Sequence, residues 1–283
     1  MSENIGSEEK TVQASPAVKT ASVSADVSAI QTAGNGKNPT AKEAQAGKIT
    51  EKGKIRKKKE QKIKLFPANK KGKHYCHLMN FLRVLLYPIH RLIFPFRLYG
   101  YKKVPAGAFV YVGNHYCLWD AFFPAHTTWE VLHYMAKQSL LDNAFLHPIA
   151  LGCGVIGAMR DGADVRTVVD SMKVLKNGEK LVIFPEGTRN KKSDEEFLPF
   201  HGGAALLAIK TKTPVIPFVI CNRPKAFRMT HVVFGEPMEF SEYYGRKLTQ
   251  ADYDEADQKL VARLYELRAK HREVMANKKK KRK

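Results

Sequence analysis

The chain has 283 residues, 44% of them hydrophobic, enough to build one large domain or two small ones around a core. Its formal charge of +21 is concentrated at two places: residues 51–73 carry eleven Lys/Arg against two acids, and Lys278–Lys283 is an unbroken basic run, so the stretch between them is only mildly basic. Four scattered cysteines (Cys76, Cys117, Cys153, Cys221) without a Cys-x-x-Cys pair argue against a disulfide framework or a zinc site and fit a reducing intracellular setting, and the first thirty residues hold no apolar segment of the secretory type.

Residues 1–50 are rich in Ala, Ser, Thr, Gly and Lys and nearly free of aromatics, which predicts a disordered segment; with the basic run that follows, 1–73 reads as a disordered, basic extension. His77–Leu98 is dense in Leu, Phe and Ile, but Arg83, His90, Arg91 and Arg97 interrupt it and Pro88 and Pro95 would kink it. No uninterrupted apolar span of membrane-crossing length exists there, so residues 74–100 are expected to form a kinked amphipathic helical pair lying in the headgroup plane, with the polybasic run as a second anchoring signal. The alternative is an ordinary N-terminal helix packed dry against the core.

From residue 104 onward, short apolar runs alternate with helical stretches. Strands are expected at Phe109–Val112, His133–Ala136, Leu181–Phe184, Val215–Ile220 and Val232–Phe234, and helices at Asp120–Glu130, Val165–Leu175 (with Gly178 as a stop) and Gly203–Lys210. This alternation argues an α/β fold with a mostly parallel central sheet flanked by helices, placed at 101–245. Thr249 to about Ala276 carries a capping residue, an acidic first turn and a basic last turn, predicting a C-terminal surface helix over 246–277 ahead of the basic tail 278–283.

Two strand exits carry the chemistry. The first, within Phe109–Pro124, ends at Gly113-Asn114 and presents His115 and, five residues on, Asp120. On one continuous helix those side chains would lie about 140° apart, so they meet only if His115 sits on the turn and Asp120 within the first helical turns. Alone, the pair reads better as a satisfied histidine and a capping aspartate. The second exit follows Leu181–Phe184: Pro185 ends the strand, Gly187 permits a sharp turn, and Glu186, Thr188 and Arg189 follow. A guanidinium and a hydroxyl beside a candidate base suit an anionic substrate.

In combination and order, these blocks resemble those of the glycerolipid acyltransferases, and most of all the 1-acylglycerol-3-phosphate acyltransferase family. A glycine-rich segment ending in arginine, Gly154–Arg160, an apolar block Thr213-Pro214-Val215-Ile216-Pro217, Lys137 after an apolar strand and Phe200-x-x-Gly203 extend the resemblance over roughly Val104–Glu239, with Gly157 where a Phe is more usual and His201 where a basic residue is more usual. The resemblance implies an O-acyltransferase moving a fatty acyl group from acyl-CoA or acyl-carrier protein to 1-acylglycerol-3-phosphate, giving phosphatidic acid in phospholipid synthesis. His115 would be the general base and Asp120 its orienter, while Arg160, Glu186, Gly187, Thr188, Arg189 and, more weakly, Lys137 would bind the acceptor phosphate. Neither metal nor cofactor is called for. The expected partners are the lysophospholipid acceptor, the thioester donor and an anionic membrane surface, on the cytoplasmic face of the cell membrane.

Rival readings carry their own signals. Gly152-x-Gly154-x-x-Gly157 matches a dinucleotide fingerprint, but Pro148 weakens the strand before it and Asp161-Gly162 breaks the helix after it. Cys117 lies close enough to His115 to suggest a nucleophile, without an oxyanion arrangement spelled nearby. The acceptor could instead be glycerol-3-phosphate or another lysophospholipid. The basic arms could also engage nucleic acid or another polyanion, although they lack aromatics for base stacking and no recognition motif lies between them, so no specific nucleic acid is expected.

Overall fold

The computed structural model of the chain describes residues 63–101, 104–158, 165–201 and 203–280. In chain order its elements are α1 (His77–Ile93), β1 (Phe96–Gly100), β2 (Val110–Gly113), a 3-10 turn (Leu118–Ala121), the short α2 (Phe122–Ala125) and β3 (Leu132–Lys137). Then come α3 (Gln138–Leu141), α4 (His147–Gly152), β4 (Ile156–Ala158), α5 (Val165–Lys176), β5 (Lys180–Ile183), α6 (Gly203–Thr211), β6 (Val215–Ile220), β7 (Thr230–Phe234) and α7 (Gln250–Lys280).

The strands form one seven-stranded sheet in the order β1-β7-β6-β2-β5-β3-β4. The five strands from β6 to β4 run parallel, whereas β7 is antiparallel to β6 and carries β1 parallel to itself at the edge. Every residue of β2, β5 and β6 is buried, the pattern of strands covered on both faces. Val110, Val112, Leu181 and Val215 pack beneath α5, α6 and α7, while Phe109, Tyr111, Val182, Ile216 and Phe218 fill the opposite side. Because β2, β5, β3 and β6 are parallel, their carboxyl ends share one edge, where open α/β sheets place their ligands. α5 stops where Gly178 adopts φ +85°, with Gly178 N–H donating to Leu175 O and Glu179 N–H to Val174 O, a Schellman closure that sends the chain directly into β5.

Several expectations need correction. Residues 74–100 hold one helix and then a strand. Pro88 stays inside α1 on its exposed side, and only Pro95 ends helical structure, forcing Phe94 off the helix and delivering Phe96–Gly100 to β7. α1 is also inverted: Arg83 and His90 are buried against the body, whereas Phe81, Val84, Leu85, Ile89 and Leu92 face outward. The helix expected at Asp120–Glu130 is cut short because threonine side chains take its backbone groups, Thr127 Oγ1 donating to Pro124 O and Thr128 Oγ1 accepting from Glu130 N–H.

The end of the basic extension is ordered from Ile63 onward. Phe66 is buried, its N–H donates to Glu179 Oε1 (2.8 Å), and its carbonyl oxygen lies 2.6 Å from His74 Nδ1. The remainder of that extension and Lys281–Lys283 lie outside the described residues. β4 arises within the glycine-rich block, with Gly152 closing α4 and Gly157 inside the strand, so those glycines do not form the strand-turn-helix of a dinucleotide site. α7 runs on to Lys280 and is no mere surface helix, since Tyr253, Ala256, Leu260, Leu264 and Leu267 are one buried stripe on the sheet.

Asp257 of the same stripe accepts from Ala205 N–H (3.3 Å) at the start of α6, and burial pushes its carboxyl from 3.8 up to about 7. The folded state therefore holds this proton more tightly than the unfolded chain. The stability it contributes is complete below about pH 3.8 and is lost as pH rises through about 7. Asp257→Asn keeps the acceptor and cannot titrate. In urea titrations its stability relative to wild type should rise across pH 4–7 and level off above, by at most roughly 4 kcal/mol.

Candidate active site

β2 ends at Gly113, and the side chain of Asn114 caps the neighbouring strand, accepting from Ile220 N–H (2.8 Å) and donating to Ile220 O (3.2 Å). That clasp fixes where the chain leaves the sheet. His115 follows on the turn, and the chain enters its 3-10 turn with Asp120 fully buried beneath. Asp120 Oδ2 lies 2.9 Å from His115 Nδ1 and also accepts from Tyr116 N–H and Cys117 N–H (2.7 Å), while Oδ1 accepts from the Cys117 thiol (3.2 Å). A carboxylate can only accept here, so His115 carries its proton on Nδ1 and leaves Nε2 as the basic nitrogen. The ring lies on Phe184 (centroids 4.3 Å apart, 21° between planes), and its side chain is 20% exposed. Burial and the adjacent Asp120 push the Cys117 thiol up to about 12, which makes it a donor to the carboxylate and a poor nucleophile.

The turn after β5 lies on the same edge, next to β2. Gly187 takes φ +59°, and a side chain there would meet the ring of His201 at 2.9 Å. Thr188 and Arg189 beyond it are exposed, and Arg189 has no partner among the described residues. Lys137, at the end of β3 one strand further out, is likewise exposed at this edge. Arg160 lies outside the described residues.

Glu186 has a different place from the one expected. It is buried, and its carboxylate accepts from His115 N–H (3.1 Å) and Leu198 N–H (3.3 Å), bracing one strand exit against the other. Burial pushes its carboxyl up to about 7, against the pull of those two donors. This carboxylate faces inward and is occupied by backbone donors.

Sequence reasoning missed an outer ring of residues. Tyr116 donates to Asp194 O (3.0 Å) and accepts from Arg268 of α7 (3.3 Å), and the Arg223 guanidinium lies over its ring at 5.0 Å. Arg223 also donates to Asn190 O (2.8 Å) and Asp194 Oδ1 (2.9 Å), and Asn190 N–H donates to His115 O (2.7 Å). Arg268 is buried, donates to Glu195 O (2.6 Å), and lies over Phe197. No local signal marks these residues, because each contact depends on tertiary pairing.

The His115–Asp120 pair and the Pro-Glu-Gly-Thr-Arg turn thus leave adjacent parallel strands at one sheet edge, and residues 95–221 match the family model described as Acyltransferase. That match spans a little under half of the chain. The chain is similar to the 1-acyl-sn-glycerol-3-phosphate acyltransferase of Borreliella burgdorferi (28% identical over 177 residues, 57% of this chain and 70% of the relative). It is also similar to that of Helicobacter pylori (35% over 130 residues, 43% and 52%) and of Bacillus subtilis (31% over 117 residues, 40% and 57%), so it spans little more than half the length of these two. The crystal structure of the Thermotoga maritima acyltransferase PlsC shares the fold, with a TM-score of 0.50 at 22% identity over 68% of this chain and 86% of that one.

Glu186→Gln keeps one acceptor and turns an amide N–H toward a backbone donor, so it should displace His115. Acyl-transfer kcat should fall about 10–100-fold with the acceptor KM nearly unchanged. Were Glu186 a phosphate ligand, steady-state kinetics would show KM moving first.

Proposed function

We propose that the chain transfers a fatty acyl group from a thioester donor to the free hydroxyl of 1-acylglycerol-3-phosphate, giving phosphatidic acid. The observation that carries this reading is the buried Asp120 holding His115 through Nδ1, which leaves Nε2 as the basic nitrogen, on a residue at the edge that also bears Thr188 and Arg189. The names of the similar acyltransferases support the choice of acceptor.

His115 Nε2 takes the proton of the glycerol hydroxyl as its oxygen attacks the thioester carbonyl. Collapse of the tetrahedral intermediate breaks the carbon–sulfur bond, and the proton on Nε2 passes to the departing thiolate. Asp120 keeps the ring oriented and stabilises the transient imidazolium. Arg189, exposed and without a partner among the described residues, supplies a bidentate fork for the acceptor's phosphate, with the Thr188 hydroxyl beside it and Lys137 and Arg160 as further cations. The donor is acyl-CoA or acyl-carrier protein. All of this chemistry runs through protein groups and needs no metal or cofactor.

The lipid acceptor also accounts for the inverted α1. No helix among the described residues is long and apolar enough to cross a membrane. Phe81, Leu85, Ile89 and Leu92 instead line the outward face of a helix held to the body by Arg83, whose Nη1 donates to Glu130 O (3.1 Å), and by the buried His90. An apolar stripe outward and polar groups inward suit a helix lying in an anionic lipid surface, the peripheral attachment expected at a cytoplasmic membrane face.

His115→Ala should lower kcat at least about 100-fold in an assay with a labelled acyl thioester and 1-acylglycerol-3-phosphate; wild-type rates would remove the base assignment. Arg189→Ala should raise the acceptor KM about tenfold or more while leaving the donor KM in place. A panel adding glycerol-3-phosphate and lysophospholipids with substituted headgroups tests the acceptor.

A further inference from the structure

The loop between β6 and β7, residues 222–229, has a conformation that the catalytic site does not explain. It reads Asn-Arg-Pro-Lys-Ala-Phe-Arg-Met, without an acid, and Lys225 through Met229 are all exposed. At its tip Phe227 adopts φ +58°, a left-handed backbone that bulky residues avoid and glycine accepts freely, yet the residue is 74% exposed. Isolated exposed apolar residues are ordinary, but a strained one held in a fixed frame is not. The frame is tight. Asn222 Nδ2 donates to Met229 O (3.1 Å) and Asn222 Oδ1 accepts from His231 N–H (2.9 Å), closing the base of the loop. Arg223 is tied to Asn190 and Asp194 of the site's outer ring. Phe227 N–H donates to Ile93 O, the last residue of α1, at 2.6 Å.

That last bond sets the tip beside the outward stripe of α1, next to Leu92, itself 72% exposed. Because β6 is parallel to β2, the loop leaves the sheet at the edge that bears His115, where Leu118 is also exposed. Phe227, Leu92 and Leu118 thus give one edge of the molecule an apolar rim, with Lys225 and Arg228 flanking the tip.

We propose that this loop is a second membrane-seating element, in which Phe227 enters the acyl region of an anionic lipid surface while Lys225 and Arg228 meet its headgroups. The proposal rests on the interfacial placement of α1. It adds that the bilayer is gripped at the mouth of the active site, so that a lipid acceptor reaches His115 without crossing water. The occupant is a lipid surface because an apolar tip between exposed cations that have no ion-pair partner among the described residues, with no acid on the loop, complements anionic headgroups over hydrocarbon.

The full chain and its variants are sedimented with vesicles of phosphatidylcholine containing phosphatidylglycerol. Phe227→Gly removes the ring and relieves the backbone, so its melting temperature should match or exceed wild type while retention on the anionic vesicles falls roughly tenfold. Turnover of a short-chain acceptor presented as monomers, without vesicles, should be unchanged. Lys225→Glu with Arg228→Glu should lower retention and flatten its salt dependence. Phe81→Asp on α1 separates the two readings. If Phe81→Asp loses retention and Phe227→Gly does not, the loop proposal is wrong and interfacial α1 stands; if neither loses retention, both are wrong.

Discussion

A fully buried carboxylate must be satisfied or neutralised, and Asp120 is satisfied by four donors from a segment of six residues. Two backbone N–H groups, a thiol and the histidine ring converge on it, which forces the chain after β2 into a 3-10 turn rather than a regular helix. The His115–Asp120 geometry and the local fold are therefore one interaction. Within a low dielectric, a half-satisfied Asp120 would be costly, so the same network that orients His115 also makes the turn rigid.

Around this centre, rigidity comes from elements remote in sequence. Asn114 clasps β6, Glu186 ties the exit of β2 to that of β5, and Arg268 brings α7 onto Tyr116, beside the histidine. α7 lies beyond the 95–221 stretch matched by the family model. The helix both completes the core and braces the site. Its two tasks use alternate residues of one stripe, Leu264 and Leu267 for packing and Arg268 for reach.

What could be read in the sequence followed from local cause. The strands at Val110, Lys180 and Val215 are β-branched runs bounded by Gly, Pro and Asn, and the two strand exits were recognisable by residue type and order. The need for His115 on the turn, with Asp120 in the next turn, followed from helix geometry alone. What could not be read depends on burial direction. Composition gives α1 an apolar stripe but does not say that Arg83 and His90 face inward. Glu186 looked like a ligand because its role requires knowing that β5 pairs beside β2. Pro95 looked like a kink because the strand after it exists only by pairing with residues about 130 positions away.

The strand order also sets when activity can appear as the chain is made. Its central strand, β2, pairs with β5 and β6, and His115 meets Glu186 across 71 residues while Asn114 meets Ile220 across 106. Such non-local pairing belongs to the slow end of folding, and synthesis delivers the N-terminal half first. The apolar face of α1 is therefore available long before the histidine is braced. An unfinished chain thus exposes that apolar helix face while it still lacks the clasp and brace that hold His115 in place.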